Sequence, residues 1–142
     1  MYYLKKRSGK KQETNPTNAT YTEKIKIVTA LNLLQATTRM FFIYVMLTGG
    51  IGEFLEVSIS TGTLNALSVM FFTLGVTGAI SVFGIITQKT WALKAMLAVN
   101  VSTIIFDIWG YMIQSSAFIG FIVPVLTILL ILIEKSSWRA LK

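Results

Sequence analysis

Two residues in this chain could carry unusual chemistry, and both are charges set within long apolar stretches. Asp107 is the chain's single aspartate and lies in KTWALKAMLAVNVSTIIFDIWGY, while Arg39 lies in IKIVTALNLLQATTRMFFIYVML. A carboxylate or guanidinium surrounded by hydrocarbon is expensive and needs a partner, so each makes a demand on the rest of the fold. Together they offer a buried ion pair, or a carboxylate that exchanges a proton or binds a cation beside a tuning positive charge. A third role has one or both charges facing a partner subunit or bound cofactor. Asn32, Gln35 and Asn100 extend the polar set. Asn32, Gln35 and Arg39 are spaced three and four apart, which places them on one helical face. Their amides suit interhelical hydrogen bonds better than ligand binding.

Other chemistry is poorly provided for. The chain has neither histidine nor cysteine, so the commonest general base, the commonest metal ligand and any thiolate are missing. With one aspartate, no intramembrane aspartyl dyad can form within the chain, and no serine has a histidine or well-placed lysine to activate it. There is no phosphate loop or dinucleotide fingerprint. Glu53 and Glu56 alone would leave most of a calcium shell empty, so they read as a solvated loop. The expectation is a non-enzymatic protein with no cofactor and no metal.

The elements that must hold these residues follow from hydropathy. Of 142 residues, 54% are hydrophobic and only 13% charged, too apolar for an ordinary soluble domain. Four apolar windows each approach the roughly 20 residues that cross a bilayer core of about 30 Å. The reading is an all-α integral membrane protein, a bundle of four transmembrane helices at about 25–47, 64–87, 91–113 and 117–133. It forms one domain, 23–142, preceded by a basic arm, 1–22, which is expected to be flexible and to lie against acidic head groups. That arm is too long and polar for a cleaved signal peptide. Gly49-Gly50-Ile51-Gly52 should end the first helix, and a short interfacial helix near Phe54 and Leu55 is possible after it.

Span two carries Gly75, Gly78, Ala79 and Gly84, small residues that let neighbouring backbones approach. Trp91, Trp109, Tyr111 and Trp138 are the expected interface anchors. The short Gln114-Ser115-Ser116 turn makes spans three and four antiparallel neighbours, and Pro124 should kink span four or free a carbonyl one turn back.

Of the thirteen Lys and Arg residues, seven precede or open span one, two flank the turn between spans two and three, and three follow span four. Arg39 is the remaining one, so the other two loops hold none. The positive-inside rule then places both the N- and C-termini in the cytoplasm. The net charge of +7 is concentrated beside the spans, which points to the lipid bilayer as partner and not to nucleic acid. Counting from the lysine at each inner edge, Arg39 lies thirteen residues beyond Lys26 and Asp107 thirteen beyond Lys94, each about 20 Å deep at about 1.5 Å per residue. Asn32 and Asn100 are level in the same way, six residues in. Two polar rungs, an amide pair and an ion pair, would tie spans one and three.

Function is expected at the level of class only. The first reading is a multi-pass protein of the cell membrane, with a prokaryotic plasma membrane the best fit, working as a homo-oligomer or as an accessory to other membrane subunits. The alternative is a small transporter or channel for protons, ions or metabolites whose path runs past the Arg39 and Asp107 cluster.

Overall fold

In the computed structural model, residues 23–50, 55 and 58–134 are described. Among them there is no strand, and the helices are α1 (Glu23–Leu47), α2 (Thr61–Ile86), α3 (Ala92–Ile113) and α4 (Ile122–Ile133), with a 3₁₀ segment, Ser115–Phe121, leading into α4. Four helical stretches, the last being Ser115–Ile133 taken whole, are long and apolar enough to cross a membrane. The basic arm 1–22, Glu53, Glu56, Phe54 and Trp138 lie outside the described residues.

Local chemistry explains where the helices stop. The first ends at Leu47, and Gly49 takes the left-handed backbone conformation (φ 80°) that glycine adopts without penalty. The second begins at an N-cap, Ser60, whose side chain accepts the Thr63 amide at 3.1 Å, satisfying an amide that has no helical partner. It closes in a Schellman turn: the Lys89 amide reaches the Gly84 carbonyl at 2.8 Å and the Gln88 amide reaches Ile85 at 2.9 Å. Gln88 occupies the left-handed position (φ 55°) usually held by glycine.

Span four differs from a continuous α-helix. Its first seven residues wind as 3₁₀, and Pro124 enters in the first turn of α4, where a missing amide hydrogen costs little. The proline therefore marks a change of helix type, and it offers no amide hydrogen to the carbonyl four residues back.

One apolar cluster joins the start of α1 (Ile25, Val28), the end of α2 (Val82, Ile85), the start of α3 (Ala92, Leu93, Met96) and the end of α4 (Ile131). The chain thus runs up, down, up, down. Each helix packs on its sequence neighbours and α4 returns to α1, so α1 faces α3 across the diagonal. At the opposite end Leu67, Leu74 and Phe106 form a second cluster with Met46, Ile59 and Phe71 beside it. Phe71 stacks on Phe42 at 6.0 Å between ring centroids and meets Phe106 edge-on at 5.3 Å, linking three helices.

Candidate functional site

Between the two apolar clusters lies a polar layer. Asn32, Arg39, Ser81, Asn100, Thr103, Asp107 and Thr127 are all buried, whereas Leu47, Ile105 and Met112 are 79%, 65% and 80% exposed. A water-soluble bundle does not expose so many large apolar side chains while burying charges.

The layer has two levels. In the first, Asn100 of α3 donates through Nδ2 to Asn32 Oδ1 of α1 at 2.8 Å, across the diagonal. Asn32 Nδ2 in turn donates to Thr127 Oγ1 of α4 at 2.8 Å and to the Val28 carbonyl at 2.9 Å. Asn100 Nδ2 also reaches the Met96 carbonyl at 2.8 Å. These bonds connect three of the four helices at one depth. They leave Asn100 Oδ1 buried without a hydrogen-bond partner. Gln35, one turn beyond Asn32, is half-buried and takes no part in these bonds among the described residues.

The second level carries the charges. Arg39 is 5% exposed and Asp107 9%, so both are inside the bundle. The sequence suggested a direct ion pair, but the guanidinium donates through Nη2 to Thr103 Oγ1 at 2.8 Å, and Thr103 passes its own hydroxyl hydrogen to the Val99 carbonyl. Among the described residues the ion pairs within 4 Å are Lys24–Glu134 and Lys26–Glu23, both at the Lys94 end. Thr103 and Asp107 are four apart on α3, so Arg39 rests one turn short of the carboxylate on the same face. Asp107 turns instead toward the 3₁₀ segment: a Cβ added at Gly120 would stand 2.8 Å from Oδ2 and 3.0 Å from Cγ. That same Oδ2 is buried without a hydrogen-bond partner.

Small residues let this layer close. A Cβ at Gly75 would meet Met40 Cε at 3.2 Å and Arg39 Cβ at 3.5 Å, so α2 lies tight against α1 where Arg39 leaves it. Gly78 faces Ala36 at 3.7 Å, a looser contact. Gly84 packs under Trp91 and Ala92 at the start of α3, both within 2.8 Å of where its Cβ would be. Ala79 lies on the exposed outer face of α2. Trp91, Trp109 and Tyr111 are 45%, 38% and 52% exposed near the ends of α3.

Sequence reasoning passed over Thr103, Thr127 and Gly120. Thr103 did have a signal, since Asn100, Thr103 and Asp107 follow a three-then-four spacing that defines one helical face. Gly120 and Thr127 had none, because both depend on how span four is wound and turned. The chain matches no protein-family model, no curated protein and no solved structure.

Proposed function

We propose that this chain is a multi-pass protein of the cell membrane, crossing it four times with both termini in the cytoplasm and working without enzymatic chemistry. The observation that carries this reading is the surface of the bundle: large apolar side chains are exposed on all four helices, while both deep charges and the amides lie inside beside the two apolar clusters. Such a surface is costly in water and favourable in lipid. The basic residues at one end, Lys24, Lys26, Lys89 and Lys94, support the orientation, as do the two opposite loops without Lys or Arg.

Because the chain has no cysteine, single cysteines can be introduced without background. With a membrane-impermeant maleimide on intact cells, Ser58→Cys and Ser116→Cys are expected to label directly and Thr90→Cys only after permeabilisation. Labelling of all three in intact cells, or release of the protein by alkaline carbonate, would refute the topology.

Within that class, the role is that of a homo-oligomer or an accessory subunit of a larger membrane complex. A short chain with few reactive groups is more consistent with an assembly role than with catalysis. Extraction into native lipid discs should give a particle larger than one protomer, or co-purifying membrane subunits; a lone monomer would sink this assignment.

A second reading is favoured by one observation. Two buried acceptors, Asn100 Oδ1 and Asp107 Oδ2, lack donors in a layer that also holds Arg39. Unsatisfied polar groups at membrane depth are the kind of lining that transport paths use. Reconstituted protein should then pass protons, small ions or metabolites under an imposed gradient, and absence of flux for all three rejects this reading.

A further inference from the structure

We propose that Asp107 is a proton-binding site, and that its proton decides whether the Arg39 guanidinium rests on Thr103 or on the carboxylate. The inference rests on the membrane reading above and is independent of whether the protein transports anything.

A carboxylate removed from water needs donors or a countercharge. Asp107 Oδ2 is buried and has no hydrogen-bond partner, and Gly120 covers it so closely that a methyl group would clash. The cation at this depth, Arg39, is already committed to Thr103 at 2.8 Å. A full negative charge at Asp107 would draw over the guanidinium that rests one turn away. A proton on the carboxyl lowers that cost: a neutral carboxyl is far cheaper to bury without a partner than an ion, and the guanidinium then keeps the Thr103 hydroxyl as its acceptor. The arrangement seen is that of the proton-loaded form.

Loss of the proton has a defined consequence. The O–H bond breaks, the proton passes to water, and the electron pair stays on the carboxylate. Thr103 and Asp107 lie on one face of α3 about 6 Å apart along its axis. That is within the swing of an arginine side chain, which gains a charge-assisted bond by moving. Re-protonation returns it to Thr103. The pair therefore has two resting positions for one guanidinium, selected by one proton.

A metal cation fits the site less well. Hard cations take about six oxygen ligands, and among the described residues no three His, Cys, Asp or Glu side chains come together. A proton needs one oxygen. Among the described residues no other titrating group interferes from the packed elements. From α1 the charged neighbour is Arg39, α2 and residues 115–133 contain no ionisable side chain, and on α3 Lys94 lies at the far end. Tyr44 and Tyr111 are exposed on the outside.

Asp107 is the single aspartate, which makes the test site-specific. The full chain, made by cell-free synthesis with aspartate carrying carbon-13 at its side-chain carboxyl and reconstituted in lipid bilayers, should show one carboxyl resonance by solid-state NMR. Asp107→Asn assigns it by its loss. The expected result is a single-step movement of that resonance between its protonated and ionised positions as pH is varied through the neutral range. In Thr103→Val the guanidinium has lost its alternative, so the resonance should be shifted toward the ionised position at the same pH. A resonance that stays fixed across the range, or that follows sodium at constant pH, overturns the proton site. A titration identical in Thr103→Val overturns the guanidinium switch. Failure of the membrane reading would appear separately, as protein that does not float with the bilayers.

Discussion

Asn100 on α3 donates to Asn32 on α1 at 2.8 Å, although the two helices sit diagonally and share no backbone contact. Two amide side chains thus span the centre of the bundle, and Thr127 extends the link to α4. Interhelical hydrogen bonds in membranes average about 0.6 kcal/mol, with a maximum near 1.7 kcal/mol. This one is fully buried on both sides. A double-mutant cycle of Asn32→Ala and Asn100→Ala should therefore return a coupling of about 1 kcal/mol in steric-trap or detergent unfolding. Asn32→Ala alone should be the costlier single change, since it also releases Thr127.

The charged level makes a different prediction. Asp107→Asn preserves shape and should stay within about 1 kcal/mol of the parent, whereas Arg39→Ala removes a buried side chain and its bond to Thr103, at about 2–4 kcal/mol. The exchange of Arg39→Asp with Asp107→Arg should not restore stability. An arginine at 107 would have to fit where Gly120 already approaches the carboxylate, and an aspartate at 39 would face the Thr103 hydroxyl from too short a reach. Thermal unfolding of the four proteins in one lipid mixture decides it; rescue by the exchange would mean that a direct ion pair holds the fold.

Glycines of one helix should respond unequally. At Gly84 an added methyl would sit 2.8 Å from both Ala92 and Trp91, so Gly84→Ala forces the start of α3 to move and should cost about 1–3 kcal/mol. At Gly78 the nearest atoms are 3.7 Å and 3.9 Å away, an ordinary contact. Gly78→Ala should then be neutral or slightly stabilising, because alanine is the better helix former by up to about 1 kcal/mol. Melting temperatures of the two variants provide the comparison.

Gln88 holds a left-handed conformation (φ 55°) at the end of α2 without being glycine. Relieving that penalty should make Gln88→Gly more stable by about 0.5–1 kcal/mol, after allowing for the greater freedom of glycine in the unfolded chain. Gln88→Val, with a branched Cβ, should lose stability. Equilibrium unfolding of both variants reads the sign directly.

Hydropathy alone marked the four helical stretches, because a run of about 20 apolar residues is a property of composition and length. Helix ends were visible in the Gly49-Gly50 pair and in the expected turns Gln88-Lys89-Thr90 and Gln114-Ser115-Ser116, although Ser115 and Ser116 already belong to the 3₁₀ segment. The level placement of Asn32 with Asn100, and of Arg39 with Asp107, came from counting along helices of fixed rise. Counting gives depth but not direction. Which atom each side chain reaches depends on how far its helix is rotated about its axis and which rotamer the packing allows. Tertiary structure therefore decided that Asn32 meets Asn100, that Arg39 takes Thr103 and stops a turn short of Asp107, and that Gly120 covers the carboxylate. The 3₁₀ winding of 115–121 was hidden because an apolar run reads alike for α and 3₁₀ winding; the segment packs against α3.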